Sequence, residues 1–463
     1  MLALTVLSIV IILGMRTPLP RRTPILAAAM GLTLSLAACG GATSGSSEAD
    51  STTSGQPSAT ASASYKEIEV ADLEPRAAIA YDGGIQVLDT ATGEVLADIK
   101  KEGFLRLNAA GDGRHVLVSS SEGFEVLDLG LIVKPHGDHN HYYEVQPHLT
   151  GSVVPAEHPG HVVTHAGRTS LFADGTGTVT TFDLDALEDG VLDDAELTSF
   201  DTESPHHGVA VPLENGNWLV THGTEDERHT VQERDADGKV ITETTDCPGV
   251  HGEATASGDG DVATFGCENG PVVYSGGQFH KVDVPEDYQR SGNQAGSEDS
   301  PYVLVDYKTE KPTEDGDIER PTKVGIINTA KTSVSTVELG SAYWFRSLGR
   351  GEDGEAVVLT ADGRLHVIDP ASGQEQRATD VVKPWTENDN WQAPGPNLRT
   401  VGDFAYVTDA AAKTLSLVQV STGDVLSTTE LSIVPNEMAV VDAENAAKHG
   451  RHSSTYEGSD GGH

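Results

Sequence analysis

The amino-acid sequence predicts an all-β protein: a β-propeller with eight blades, or seven as the alternative, closed by its N- and C-terminal strands. Three observations point to this fold class. From about residue 75 to 443, short runs of β-forming residues alternate with Gly, Asp and Asn turns, without a long helical period. A strand–turn–strand unit recurs along this span. Segments that begin with histidine also follow one another at steps of 46 and 44 residues, a spacing typical of propeller blades.

The recurring unit is a strand, a turn containing Thr-Gly or Ser-Gly, and a second strand. It reads IQVLDTATGEVL at 85–96, LHVIDPASGQEQ at 365–376 and LSLVQVSTGDVL at 415–426. The repeating span divides into eight blades of about 46 residues or seven of about 53, and the observed steps favour eight. Residues 77–99 supply only three strands. The isolated run NEMAVVD at 436–442 is therefore predicted to complete their sheet, which leaves no free edge.

The first 39 residues are predicted to be a bacterial lipoprotein signal. A basic start, an apolar run at 24–36 and small residues lead to Cys39, which this pattern marks for lipidation. The alternative is a transmembrane anchor, for which the run is short. Residues 1–14 form a second hydrophobic stretch ahead of Met15, which is expected to be the true start. The expected domains are a signal at 1–39, a flexible Ser/Thr/Gly-rich tether at 40–74, a metal-binding propeller at 75–443 and a disordered polar tail at 444–463. The domain is thus expected outside the cytoplasm, anchored to the cell membrane only through its lipid.

Composition excludes one class of partner and limits the chemistry of the cysteines. The chain has 71 acidic and 30 basic residues, a formal charge of −41, so it lacks the basic face that nucleic acid requires. Acidity favours cations in general, although it more often serves solubility. With Cys39 lipidated, Cys247 and Cys267 remain, and two cysteines in an exported domain predict one disulfide. The alternative is that both are metal thiolates.

The segment PHGDHNHYYEV at 135–145 gathers four candidate metal ligands: His136, Asp138, His139 and His141. Imidazole nitrogens and carboxylate oxygens bind zinc, and this spacing lets a loop fold around one ion. The alternative is a polar surface turn. In the predicted register the segment joins the third and fourth strands of the second blade, at the channel end away from the blade starts. It is either a separate, mobile site or a flap that delivers ligands to a central one.

A second set of histidines shares one position in three consecutive blades. His161, His207 and His251 each stand where the innermost strand begins, so all three are expected around the channel mouth. Three imidazoles that face one axis form an open site for tetrahedral zinc with a fourth ligand to come. The alternative is that each pairs with backbone in its own blade. His206 is a substitute candidate, although it should point to the other side of the strand.

Two acidic residues and the cysteine pair surround this predicted centre. Glu253 and Asp201 are candidates for orienting the imidazoles from outside. Cys247 lies just before the strand that begins near His251, and Cys267 just after the next strand, so both belong at one end of the blade. A bridge between them is geometrically easy and would rigidify the loop that carries His251.

The motifs HGDHNHYY, SPHHGVAV and CPGVHGEA, on a propeller with paired cysteines, resemble those of the AztD-type zinc metallochaperones. The resemblance implies an exported, monomeric propeller that is not an enzyme. Such a protein binds Zn²⁺ and hands it to the solute-binding protein of a zinc ABC importer. Carried over by motif, the metal residues are His136, Asp138, His139, His141, His206, His207 and His251. His161 comes from the blade register alone.

Two rival functions stay open on sequence grounds. A metal-dependent exported hydrolase, such as a lactonase-like propeller, would hold its metal at the channel mouth, but no acid–base pair or nucleophile motif is found there. An interaction propeller would carry its histidines incidentally. Zinc cannot be separated from copper, nickel or cobalt by these ligands alone. For a zinc carrier, affinity is expected to fall as pH drops through about 6–6.5, where imidazole becomes protonated.

Overall fold

The computed structural model describes residues 65–313 and 318–443. The chain separates into two units, Met1–Ala61 and Ser62–His463. The first unit lies outside the described residues, and with it the predicted signal at 1–39 and Cys39; most of the tether and the tail at 444–463 lie outside them as well. Within the described residues, no helix has the length and apolar character needed to cross a membrane.

The regular elements in the described part of the chain are short strands, apart from three 3-10 turns. The strands up to the middle of the chain are β1 Ile68–Val70, β2 Arg76–Tyr81, β3 Gly84–Asp89, β4 Val95–Lys100, β5 Arg106–Ala109, β6 His115–Ser120, β7 Gly123–Asp128, β8 Leu131–His136, β9 His139–Glu144, β10 His148–Val154, β11 Pro159–His165, β12 Arg168–Ala173, β13 Thr178–Asp183, β14 Thr198–Asp201, β15 Ala210–Pro212, β16 Trp218–Gly223, β17 Arg228–Arg234 and β18 Val240–Thr244. Two 3-10 turns, Leu184–Leu187 and Asp194–Glu196, separate β13 from β14.

The second half continues in the same way. Its strands are β19 Glu253–Thr255, β20 Ala263–Phe265, β21 Val272–Ser275, β22 Gln278–Lys281, β23 Gln294–Ala295, β24 Tyr302–Asp306, β25 Lys323–Asn328, β26 Ser333–Glu338, β27 Leu348–Arg350, β28 Ala356–Leu359, β29 Arg364–Asp369, β30 Gln374–Asp380, β31 Asn397–Val401, β32 Phe404–Asp409, β33 Thr414–Gln419, β34 Val425–Glu430 and β35 Met438–Val441. A third 3-10 turn, Thr329–Lys331, links β25 to β26.

These strands form eight antiparallel sheets of four strands each in the described residues. Sheet 1 has the order β35-β2-β3-β4 and sheet 2 the order β5-β6-β7-β10; sheets 3 to 8 each take four successive strands, from β11–β14 through to β31–β34. The first strand of each order is the inner one, and most neighbouring inner strands contact one another, as β11 does with β15 and β31 with β35. The predicted β-propeller is confirmed. Eight sheets are what an eight-bladed propeller needs, while the blade number itself stays a prediction.

Sheet 1 joins the two ends of the folded chain. Its inner strand β35 pairs antiparallel with β2, so that Ala77 faces Val440 and Ile79 faces Met438. The prediction that residues 436–442 complete the first sheet is therefore confirmed. Because the last strand is held by the first, no four-stranded sheet ends in an open inner edge there.

A ninth, smaller sheet stands apart from the eight. The hairpin β8–β9 is inserted between the third and fourth strands of sheet 2, and β1 adds to its free edge by pairing with β9. β1 falls inside the segment at 40–74 that is predicted as a tether. Backbone pairing with β9 and burial of Leu73 make this last part of the segment folded, so the tether prediction is too long at its end.

The hydrophobic core is divided into clusters that lie between neighbouring sheets. One cluster joins sheets 1 and 2, and the others follow each boundary in turn until the last joins sheets 8 and 1. The strands supply alternating Val, Leu, Ile and Ala that face these boundaries, since successive side chains of a strand point to opposite faces. Each sheet is therefore positioned by apolar contacts on both of its faces.

Removing the apolar anchor of the closing strand tests this arrangement. Met438 is fully buried between sheets 1 and 8, where it packs in a cluster with Ile79 and Tyr406. We expect Met438→Ala to lower the free energy of unfolding by about 2–5 kcal/mol, since it leaves a cavity that the ring cannot close. The measurement is urea denaturation followed by tryptophan fluorescence. Val425→Ala, at a 43% exposed position on β34, is the control and should change stability by less than about 0.5 kcal/mol. An equal loss in both variants would contradict the role of β35.

Candidate metal centre

Three histidines from three consecutive sheets meet at the start of the inner strands. The Nε2 atom of His207 lies 3.3 Å from Nε2 of His161 and 3.1 Å from Nε2 of His251. The ligand atoms of all three lie within 4.8 Å of one another, and each residue is partly buried. The structure therefore brings together the three residues that the blade register predicts at one position. We call this set the central cluster.

The local sequence explains how the rings approach so closely. His161 is the third residue of β11, whereas His207 and His251 lie shortly before β15 and β19. Gly252 has a φ of +74°, and a Cβ atom there would come within 2.3 Å of a backbone carbonyl. At Gly160 a Cβ atom would lie 2.2 Å from Oδ1 of Asp174. Only glycine at these two positions allows the backbone and the carboxylate to pack beside the cluster.

The Nδ1 atom of each imidazole contacts a carboxylate or a backbone carbonyl outside the central cluster. Nδ1 of His207 lies 2.6 Å from Oδ2 of Asp174, and Nδ1 of His161 makes a hydrogen bond of 3.4 Å with Oε1 of Glu253. Nδ1 of His251 donates to the carbonyl of Gly292 at 2.7 Å. A proton on Nδ1 leaves the lone pair on Nε2, so these contacts select the tautomer in which all three Nε2 atoms can bind one cation.

Both positive and negative groups surround the central cluster. Burial lowers the pKa of the His251 imidazole well below its usual range, and the neighbouring His161, His207 and Arg290 lower it further. His251 is thus neutral near pH 7. Arg228 donates from Nη1 to the carbonyl of His207 at 2.9 Å, which adds a second positive group. The carboxylates of Asp174 and Glu253 supply the negative charge that a bound cation needs.

A second group of histidines lies at the tip of the hairpin β8–β9. His136 and His139 pair at the turn, and Nε2 of His141 lies 3.3 Å from Nε2 of His139 and 3.4 Å from Nδ1 of His136. Nδ1 of His141 lies 2.9 Å from Oε1 of Glu69 on β1. We call these three histidines the hairpin cluster; two of them are exposed.

The two clusters lie at opposite ends of the sheets. The hairpin follows β7, the third strand of sheet 2, and the third strand ends where the inner strand ends. The central cluster is at the other end, where the inner strands begin. Of the two alternatives for the hairpin, a separate site or a flap over the centre, the structure places it as a separate group.

Some predicted residues take other roles. His206 is buried, with Nδ1 2.9 Å from the carbonyl of Ser204 and Nε2 3.0 Å from the Thr221 hydroxyl, so both nitrogens are occupied away from the central cluster. Burial also lowers its pKa, which keeps the ring neutral. His206 as a metal ligand is therefore corrected to a core histidine. Asp138 is fully exposed and approaches only Nδ1 of His139, at 3.2 Å, so it lies outside the hairpin cluster.

The remaining acidic residues and the two cysteines differ in whether they contact the central cluster. Glu253 contacts the central cluster as predicted. Asp201, on the outer strand β14, accepts instead from the hydroxyl of Thr178 on β13 and does not orient an imidazole. Asp174 is a residue that sequence reasoning missed. Cys247 and Cys267 form a disulfide, as one of the two sequence alternatives expected, so neither offers a thiolate to a metal.

Comparison with known proteins agrees with the motifs. A curated protein of Citrobacter koseri, named zinc chaperone AztD, is 24% identical over 388 residues, which cover 80% of this chain and 86% of that protein. The crystal structure of Citrobacter koseri AztD has a TM-score of 0.66 at 22% identity, covering 79% of this chain and 97% of that one. The chain resembles AztD.

A second solved structure, apo AztD from Citrobacter koseri, gives a TM-score of 0.64 at 19% identity, over 79% of this chain and 97% of that chain. No protein-family model matches the chain. These matches confirm the resemblance to AztD that the three histidine motifs predict. The two AztD crystal structures have the same fold as this chain.

The carboxylate behind His207 provides a test of the central cluster. We expect Asp174→Ala to weaken metal binding by about 10–100-fold, because the His207 ring loses the partner that sets its tautomer and its orientation. The measurement is competition with a chromogenic zinc chelator. Asp201→Ala, at the outer strand of the same sheet, is the matched control and should keep the affinity of the parent chain. Equal affinities in the two variants would show that Asp174 has no part in metal binding.

Proposed function

We propose that this protein is a zinc carrier, not an enzyme, and that it holds Zn²⁺ between His161, His207 and His251. The observation that carries the proposal is the convergence of three Nε2 atoms, each with its Nδ1 atom held by a carboxylate or a carbonyl. Three neutral imidazoles are a donor set that suits Zn²⁺. The similarity to a protein named zinc chaperone supports zinc as the cargo.

A three-histidine set leaves one tetrahedral position open for a ligand from another molecule. A donor of the recipient can enter that position before any histidine leaves, so the ion passes by stepwise ligand exchange without being released to water. The neutral state of His251 keeps its lone pair available near pH 7. The side chains of His161 and His207, which are 19% and 34% exposed, give the recipient access.

The charged groups around the central cluster affect zinc affinity in opposite ways. Asp174 and Glu253 offset the charge of the bound ion and increase affinity. Arg228 and Arg290 contribute positive potential at the same place, as the lowered pKa of His251 near Arg290 indicates. A bound cation is therefore less stable than with the carboxylates alone, which suits a protein that must give up its cargo.

The hairpin cluster is a second zinc site in this proposal. It offers three imidazoles at the tip of an exposed hairpin, and Glu69 fixes the orientation of His141 only. Solvent screens such a site more than it screens the partly enclosed central cluster. Its affinity is therefore lower and its exchange faster. Its place at the other end of the sheets makes it an independent site.

The recipient in this proposal is the solute-binding protein of a zinc ABC importer. The predicted signal with lipidated Cys39 supports a place outside the cytoplasm and at the cell membrane, where such an importer takes up its cargo. The AztD name of the curated relative supports a role in zinc handling. The carrier acts as a monomer.

Zinc stoichiometry tests the two sites separately. We expect residues 65–463, purified without a His tag, to bind two zinc ions per chain, one tightly and one weakly. His207→Ala with His251→Ala should remove the tight ion, since one remaining imidazole cannot hold it. His136→Ala with His139→Ala and His141→Ala should remove the weak ion only. The measurement is metal content by mass spectrometry together with isothermal titration.

The matched control replaces two histidines that belong to neither cluster. His229 lies on β17 and His280 on the outer strand β22, and the double change His229→Ala with His280→Ala should leave both zinc ions bound. If the His207 and His251 double variant keeps tight zinc, the assignment of the central cluster is wrong.

The kinetics of transfer distinguish direct exchange from release and recapture. We expect the rate of zinc movement to a candidate zinc solute-binding protein to rise with the concentration of that protein and to exceed spontaneous dissociation. A ligand-exchange step requires contact between donor and recipient, whereas free zinc would move at the dissociation rate whatever the recipient concentration. Stopped-flow fluorescence with an inert chelator as trap measures this. Loss of transfer in the presence of the trap would contradict direct exchange.

A further inference from the structure

Three arginines gather at the end of the inner strands where the central cluster lies, but in other sheets. Arg106 is the first residue of β5, Arg346 lies two residues before β27, and Arg399 lies within β31. They belong to sheets 2, 7 and 8, whereas the three histidines of the central cluster belong to sheets 3, 4 and 5. The arginine group therefore occupies the part of the ring away from the central cluster.

Positive charge exceeds negative charge within this group. Arg346 forms a buried ion pair with Glu437, which precedes β35. Neither Arg106 nor Arg399 has an ion pair with any residue of 65–313 or 318–443. The backbone N–H of Leu398 donates to the carbonyl of Arg346 at 2.9 Å, which places the neighbouring Arg399 beside Arg346 and its partner Glu437. Burial lowers the pKa of Arg399; Glu437 opposes this effect, and Arg346 and Arg106 add to it. Such a surplus is notable in a chain with a formal charge of −41.

Two buried donors beside the arginines have no acceptor. Nε of Arg346, in a side chain that is 1% exposed, and Nδ2 of Asn397 make no hydrogen bond within the described structure. The amide oxygen of Asn397 already accepts from Nη1 of Arg399 at 3.0 Å, so this amide links the orphaned donor to the cluster. Buried donors without an acceptor are costly, and an anion would satisfy them.

Aromatic rings border the same group. The guanidinium of Arg106 lies 6.0 Å from the ring centroid of Trp391, which is 48% exposed. Trp391 packs edge-on against Phe104 at 5.2 Å, and Phe345 lies 6.4 Å away. The guanidinium of Arg346 stands 4.7 Å from the ring of Phe345. Cationic groups next to exposed rings can bind the charged end and the flat face of one molecule.

Open space lies beside one arginine of the group. A cavity of about 410 Å³ is bounded by the inner strands of sheets 6, 7 and 8, and Arg399 is part of its wall. Arg350, Asp299 and Glu352 also line it, and Arg399 is the member of the arginine group that reaches its wall. A volume of this size suits a small organic molecule.

We propose that Arg106, Arg346 and Arg399 form a binding site for a small organic carboxylate with an apolar or aromatic flank. The carboxylate accepts from the guanidinium groups, and the flank rests on Trp391 and Phe345. The site is separate from both histidine clusters, and it stands whether or not the proposed zinc function is correct.

Benzoate is the probe, because it joins a carboxylate to a flat ring and binds zinc weakly. Metal-free residues 65–463 are titrated with benzoate by calorimetry and by tryptophan fluorescence. We expect saturable 1:1 binding, a change in Trp391 emission, and weaker binding at high salt. Benzamide, which has the same ring without the charge, should not bind. Absence of saturable benzoate binding, or equal binding of benzamide, would overturn the proposal.

Variants locate the site and separate it from the zinc centre. Arg106→Gln and Arg399→Gln should each weaken benzoate binding about tenfold or more, because a charge-assisted hydrogen bond is lost. Arg364→Gln, at a partly exposed position on β29 outside the group, is the matched control and should bind as the parent does. All three variants should keep the zinc stoichiometry of the parent, so failure of one proposal does not mimic failure of the other. Equal benzoate affinity in Arg106→Gln, Arg399→Gln and the control would place benzoate elsewhere.

The source of the carboxylate is tested in a separate arm. A tetrapeptide with a free C-terminal carboxylate is compared with its amidated form and with benzoate. Benzoate binding well above that of the peptide supports a small acid as the ligand. Tighter binding of the free peptide would overturn the small-acid assignment in favour of a polypeptide end.

Discussion

Apolar packing between neighbouring sheets is the constraint on which the rest of this structure depends. Each sheet is fixed on both faces by a hydrophobic cluster, and β35 closes the series against β2. The inner strands are consequently held at set distances around the channel. His161, His207 and His251 lie far apart in sequence and meet only because three such strands begin side by side. A loose ring would separate their Nε2 atoms and, with them, the means to bind one cation.

The two histidine clusters show how differently the same side chain can be prepared. In the central cluster every Nδ1 atom has a partner from a neighbouring strand or loop, so ring orientation is settled before any ion arrives. In the hairpin cluster Glu69 holds His141 from a neighbouring strand, His139 contacts the fully exposed Asp138 next to it, and two of the rings stand in solvent. Binding there must order the rings as well as desolvate the ion. The same three-imidazole composition thus gives a prepared site at one end and an adaptable one at the other.

Sequence predicted what depends on strand register and missed what depends on contact between sheets. The three central histidines follow from their common place at blade starts, and Glu253 from its position two residues after His251, where β19 begins. Asp174 belongs to the turn after β12 and reaches His207 across a sheet boundary, so no spacing in the sequence indicates it. The pairing of β1 with the hairpin was missed for the same reason: its three residues carry no pattern that separates them from the tether. The side chain of His206 points to the side of the extended chain opposite that of His207, as the alternation of side chains predicts, and it is buried in the core.

The net charge of this chain is a poor guide to its sites. A charge of −41 suggests an affinity for cations everywhere, yet the central cluster has only two carboxylates in contact with its imidazoles and two arginines close by. Elsewhere in the same ring, three arginines meet one carboxylate. Charge in a folded protein acts over distances of about one Debye length, roughly 8 Å at physiological salt. The local pairing of a few buried groups therefore decides which ion each part of the channel can hold, and the acidic surface contributes chiefly to solubility.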